Sequence, residues 1–133
     1  MDQASPNKAK PKVLLVDDDS RTTRLLAHML REDGFDVELA WDGATAIARL
    51  TRGPAPDILV TDLLMPHVDG VAVTTYARSR EPLIPIFIVT GHPNLLPTAG
   101  SGALDPAPVV MTKPLDYAKF ADELRRAAAA LAG

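Results

Sequence analysis

Four short apolar runs, each closed by a polar residue, organise the chain: KVLLVDDD (12–19), DILVTD (57–62), IPIFIVT (84–90) and PVVMTKP (108–114). Their β-branched, apolar character without helical periodicity predicts strands buried on both faces. A shorter strand is expected at Asp36 to Ala40, which makes five. Between the runs the period changes. SRTTRLLAHMLREDGF places Leu25, Leu26, Met29 and Leu30 at helical spacing, with Ser20 or Asp19 as N-cap and Gly34 as the left-handed stop. DGATAIARLTRG predicts a second helix burying Ala44, Ile47, Ala48 and Leu50, ended by Gly53-Pro54. A weaker helix is expected from about Val71 to Ser79, stopped by Glu81-Pro82. A final helix begins near Leu115 or Asp116, with Phe120, Leu124, Ala128 and Leu131 along one face.

Alternating strands and helices imply an α/β fold: a doubly wound parallel sheet with helices on both faces and right-handed crossovers. One connection departs from the pattern. The segment GHPNLLPTAGSGALDPAP (91–108) holds four prolines and three glycines where a helix should lie between the fourth and fifth strands. Pro97 fits only in a first helical turn, and Gly100 and Gly102 would each cost about 1 kcal/mol in a helix interior. A short, irregular or mobile fourth helix is expected there.

In 133 residues there is room for about one domain, assigned to residues 12–133. Residues 1–11, polar and broken by Pro6 and Pro11, are expected to form a flexible tail. The 47% apolar and 23% charged residues suit a soluble globular domain. Seventeen acidic against fourteen basic residues, a net charge of −3, give nucleic-acid binding no electrostatic support. Without cysteine, disulfides, thiolate catalysis and cysteine-ligated zinc are excluded. No apolar stretch is long enough to span a bilayer and the start lacks a signal-peptide core, so a cytoplasmic location with no membrane partner is expected.

The residues that close the strands carry the chemistry. In an open parallel sheet, ligands bind outside the carboxyl ends of the strands. Asp17, Asp18, Asp62, Thr90 and Lys113 should therefore converge there. Two carboxylates about 4 Å apart repel by roughly 4 kcal/mol at an effective dielectric of about 20, so a compensating cation is required. A hard dication such as Mg2+, held by one or two carboxylates, a carbonyl and waters, leaves open positions for a phosphoryl oxygen. Lys113 adds a point charge. Singly, each residue has a structural reading: Asp17 to Asp19 as a helix cap, Asp62 as a turn residue, Thr90 as packing, Lys113 as a surface charge.

Taken together, VDDDS with Asp17-Asp18, TDLLMPHVDG with Asp62, VTG with Thr90, and TKP with Lys113 resemble the receiver domain of two-component response regulators over about residues 12–131. That resemblance implies a flavodoxin-like strand order 2-1-3-4-5. It implies that Asp62 takes a phosphoryl group from a phosphohistidine of a histidine kinase or histidine phosphotransfer protein, and that a downstream protein target reads the change. Asp17, Asp18, Asp62 and the Leu64 carbonyl would hold Mg2+, Asp18 directly and Asp17 directly or through water. Thr90 and Lys113 would contact the phosphoryl group, and Lys113-Pro114 would be cis. The chain would act as a signalling phosphoacceptor rather than an enzyme.

Two positions depart from the family. Val110 stands where many receivers carry the tyrosine or phenylalanine of an aromatic switch, and Leu64 cannot position a hydrolytic water. These departures suggest slow dephosphorylation and signalling through order and disorder of residues 91–108. His92, two residues after Thr90, could tune dephosphorylation, while His28 and His67 are assigned structural roles and Trp41 a partly exposed anchor at the second helix. Two alternatives stand: a phosphorylation-independent adaptor, and a Mg2+-dependent phosphohydrolase of the haloacid-dehalogenase kind. The latter finds Arg21 where threonine or valine is usual and no cap insertion.

Overall fold

The structure, a computed structural model, describes residues 10–95 and 104–132. Five strands form one parallel sheet: β1 (Lys12–Val16), β2 (Asp36–Ala40), β3 (Ile58–Thr61), β4 (Ile86–Thr90) and β5 (Val109–Thr112), in the order β2-β1-β3-β4-β5. Among the described residues four α-helices flank it: α1 (Ser20–Glu32), α2 (Gly43–Thr51), α3 (Gly70–Arg80) and α4 (Tyr117–Ala132). The predicted doubly wound architecture and strand order are both present.

The apolar runs are continuous because both sheet faces are covered. Alternate residues serve opposite layers. Leu14, Val16, Leu59, Ile86 and Ile88 pack with α2 and α3. Val13, Leu15, Ile58, Val60, Phe87 and Val89 pack with α1 and α4, where Phe120 meets Phe87 edge to face at 6.2 Å. The register Val16 to Thr61 and Thr90 to Thr112 brings the strand ends level. The ladder runs one residue further, through Asp17 N–H to Ala40 O (3.1 Å), Asp62 N–H to Val16 O (2.9 Å) and Lys113 N–H to Thr90 O (2.9 Å). Backbone pairing thus fixes Asp17, Asp62 and Lys113 before their side chains do anything.

Three packing expectations change. On α1 the buried face is Thr23, Ala27 and Leu30; Leu26 and Met29 are half-buried and Leu25 is 61% exposed. Asp19, not Ser20, is the N-cap, and Thr23 can enter the core because its hydroxyl donates to the Asp19 carbonyl at 2.6 Å. On α2, Ala46 and Leu50 are buried while Ala44 and Ala48 face outward. On α4, Phe120 and Leu124 are buried but Leu131 is half exposed. Helix α3 looked weak in the sequence because Thr74 and Arg78 occupy its buried face; the Arg78 guanidinium donates to the Ile84 carbonyl at 2.9 Å.

Between β4 and β5 the described residues contain only a 3-10 turn, Pro93–Leu95. The expectation for Pro97, Gly100 and Gly102 lies outside the described residues, as does most of the predicted tail. Asp105-Pro106 and Lys113-Pro114 are cis. No helix among the described residues is long and apolar enough to cross a membrane.

Candidate functional site

At the carboxyl end of the sheet, carboxylate oxygens of Asp17, Asp18 and Asp62 lie within 4.8 Å of one another. Lys113 reaches across from β5: its Nζ is 3.1 Å from Asp17 Oδ2 and 3.3 Å from Asp62 Oδ2. Both carboxylates are also held from the backbone. Asp17 Oδ1 accepts the Asp19 N–H at 2.9 Å, and Asp62 Oδ1 accepts the Leu63 N–H at 2.7 Å. Asp17 and Asp62 side chains are each only 12% exposed, whereas Asp18 faces solvent.

Burial dominates the ionisation of Asp62. Loss of water raises its pKa and the Asp17 charge raises it further, against the opposing pull of Lys113 and the Leu63 N–H. For Lys113, burial works against the ammonium, but Asp17 and then Asp62 outweigh it and hold its pKa above the usual lysine range. Three carboxyl groups thus face one ammonium, and the cluster is short of positive charge. Its all-oxygen donor set suits a hard dication such as Mg2+. Asp17, Asp18 and Asp62 fit that role by position. Leu64, two residues on, is 44% exposed, and its carbonyl accepts no backbone hydrogen bond among the described residues.

Thr90 is fully buried, and its Oγ1 accepts the His92 N–H at 2.9 Å, which leaves its own proton to donate. His92 thus contributes its backbone, while its ring is exposed. Asp19 leaves the acidic triplet to cap α1, accepting from Thr22 N–H (3.3 Å) and Oγ1 (2.9 Å), bonds that hold its pKa below the carboxylate norm. Within that triplet Asp19 takes the cap, while Asp17 and Asp18 lie in the acidic cluster.

Some close contacts escaped the sequence reading. Gly70 opens α3 so close to β3 that a Cβ there would lie 2.1 Å from the Asp62 carbonyl oxygen; at Gly43 a Cβ would lie 2.3 Å from the Val68 carbonyl. Each follows an N-capping aspartate, Asp69 or Asp42, so the repeated Asp-Gly pair was the available signal. Trp41 is 38% exposed, and the Arg24 guanidinium lies 5.4 Å from its ring centroid. The Tyr117 hydroxyl donates to Asp33 at the end of α1, tying α1 to α4; burial and that bond push its pKa up to about 12.

Comparison with known proteins gives a consistent result. The family model described as the response regulator receiver domain matches residues 13–125. The transcriptional regulatory protein TrcR of Mycobacterium tuberculosis is 34% identical over 114 residues, 86% of this chain and 44% of that protein. The transcriptional regulatory protein ZraR of Salmonella typhimurium is 32% identical over 125 residues, 92% of this chain and 27% of that protein. The chain thus spans less than half the length of these relatives. Among solved structures, a response regulator receiver protein from Sinorhizobium medicae superposes with a TM-score of 0.77 at 29% identity, covering 90% of this chain and 94% of the other. The fold is shared with the response regulator TrrA of Thermotoga maritima, solved in complex with Mg2+-BeF (TM-score 0.75, 22% identity, 87% and 97% coverage).

Proposed function

The chain belongs to the response regulator receiver domain family of two-component systems, and from that premise we propose that Asp62 is its phosphoacceptor. The observation that carries this reading is the placement of Lys113 Nζ between Asp17 and Asp62, at 3.1 and 3.3 Å, beside three converging carboxylates. Phosphoryl transfer needs positioning and charge neutralisation more than covalent help from the protein. A carboxylate oxygen of Asp62 attacks phosphorus as the phosphorus–nitrogen bond of a phosphohistidine breaks. The imidazole leaves with the bond's electron pair, and an acyl phosphate remains on Asp62.

The surrounding residues each have a part. The Leu63 N–H fixes one carboxylate oxygen and so the direction of attack. Lys113 is already charged and desolvated at the place where equatorial oxygens would gather negative charge. Thr90 offers its hydroxyl proton to the new phosphoryl group, a bond possible only after transfer, and so a means of biasing the loop that follows β4. Asp17, Asp18, Asp62 and the Leu64 carbonyl would hold Mg2+, which when bound would neutralise charge on phosphoryl oxygens.

The partners proposed are a histidine kinase or histidine phosphotransfer protein as donor and a protein target downstream, in the cytoplasm. Incubation with acetyl phosphate and Mg2+, followed by intact mass, tests the chemistry. The wild type should gain one acid-labile phosphoryl group and Asp62→Asn none. Equal labelling of both would remove Asp62 from the role.

A further inference from the structure

Adjoining the acidic cluster lies an apolar space to which the proposed phosphoryl transfer assigns no role. A cavity of about 400 Å3 runs between α1 and the segment that leads from β5 into α4. Leu15, Val60 and Val89 of the sheet line its depth, Leu26 and Met29 one side, Leu115 the other. The hydrogen bond from Tyr117 to Asp33 ties the two sides together. Thr23, the first buried residue of α1, meets this space with a short side chain.

Size and lining match the small-molecule class: such sites run from about 300 to 1,000 Å3 and are largely apolar, with a few convergent polar groups. Here the polar groups are Asp17, Asp62 and Lys113, and they share one end of the cavity because Leu15 and Val60 precede the two aspartates by two residues on their strands. Their charge selects the ligand. Lys113 is committed to both carboxylates, and exposed Asp18 adds a third negative charge within 4.8 Å. A ligand anion would meet net negative potential there, and a cation would relieve it.

We propose that this cavity binds a small amphiphile with an apolar body and one ammonium end, the ammonium against Asp17 and Asp62 and the body against Met29, Val60 and Leu115. Ammonium and divalent cation then draw on the same carboxylates, so the two compete; that clause rests on the metal reading given above. Such a ligand would set how readily Asp62 is available for phosphorylation.

The test uses the full chain in metal-free buffer and three probes of one shape: 4-phenylbutylamine, 4-phenylbutanol and 4-phenylbutanoate. Amide chemical shifts should move saturably at Leu26, Met29, Val60 and Leu115. The amine should bind at least about tenfold more tightly than the carboxylate, a difference of about 1.4 kcal/mol, with the alcohol between them. Mg2+ should weaken the amine and leave the alcohol unchanged. Met29→Phe, or Leu26→Phe should the first fail to fold, should fill the space and abolish binding. No saturable shift, shifts scattered outside the cavity, or carboxylate binding as tight as amine binding would each overturn the proposal. A separate titration with Mg2+ alone, read at the Asp17, Asp18 and Asp62 amides, tests the metal reading. Amine binding in the stated charge order without any Mg2+ response would retain the cavity site and discard the competition.

Discussion

Replacing the proposed phosphoacceptor should make the metal-free protein more stable. Asp62 interacts with two like charges whose oxygens lie within 4.8 Å, each costing about 3.5 kcal/mol at an effective dielectric of about 20. Against them, Lys113 at 3.3 Å returns about 5 kcal/mol on the same scale. Exposed Asp18 counts for less than its distance suggests, so attraction and repulsion nearly cancel. Desolvation then decides the sign, as the raised pKa of Asp62 indicates. Asp62→Asn keeps an oxygen to accept the Leu63 N–H and leaves Lys113 paired with Asp17. It should therefore stabilise the fold by about 1–2 kcal/mol, or a rise in Tm of about 4–8 °C at pH 7 in EDTA. The pH dependence follows from linkage. The folded pKa lies above the unfolded value of 3.8, so between the two the folded state binds more protons and wild-type stability falls as pH rises. The advantage of the variant should be absent below pH 3.8 and complete above the folded pKa. Added Mg2+ should narrow it, because a cation held by Asp62 stabilises only the wild type fully. Calorimetric or urea unfolding from pH 3 to 8, with and without Mg2+, measures all of this. A variant that melts at or below the wild type at pH 7 without metal would show that desolvation does not decide the sign at Asp62.

Lys113→Met should act in two directions: loss of its ammonium leaves Asp17 and Asp62 uncompensated and lowers stability by about 1–3 kcal/mol, discounted for its one-third exposure, while Mg2+ binding tightens for want of a competing cation. Unfolding and Mg2+ titration calorimetry should show these opposite signs. Gly70→Ala should cost about 2–3 kcal/mol and slow phosphorylation from acetyl phosphate, because its Cβ must displace the backbone of Asp62; an unchanged rate would show that the contact relaxes elsewhere. Tyr117→Phe should lose about 0.5–1.5 kcal/mol through its bond to Asp33, measured by urea unfolding. Asp19→Ala should destabilise α1 at neutral pH and not in acid, since the depressed pKa of Asp19 gives a contribution present above pH 3.8 and lost as pH falls through the folded value.

The strands and the acidic cluster were legible because both are written in short stretches. A parallel sheet covered on both faces requires unbroken apolar runs, and the polar residue that ends each run must lie at the sheet edge. Asp36 to Ala40 appears with the bounds that the sequence suggested. Helix phase was less legible. The large apolar residues at helical spacing included Leu25, yet α1 buries Thr23 and Ala27 and turns Leu25 outward. Small residues give periodicity little weight while allowing the closest approach to a sheet, and the same fact misplaced Ala44 and Ala48. Contacts between distant segments, such as Tyr117 with Asp33 or Arg24 over Trp41, leave no trace in spacing at all.

The site is held in place by parts that do no chemistry. Asp62 sits where burial favours its neutral form, so a flexible loop would move the carboxylate into water and spend the cluster's strained electrostatics. Three constraints prevent that. The sheet ladder holds the Asp62 N–H to Val16, the Leu63 carbonyl accepts the Gly70 N–H at 2.9 Å, and the absent side chain of Gly70 lets α3 close against the Asp62 carbonyl. Asp69 then caps α3 through the Ala72 N–H at 3.0 Å, so the helix begins as soon as the contact is made. A charge that the fold disfavours is thus kept in place by backbone bonds that do not depend on it. Removing the charge should raise stability, and loosening the backbone around it should lower both stability and reactivity. Asp62→Asn and Gly70→Ala are neighbours in space with predicted effects of opposite sign on stability and of the same sign on phosphorylation.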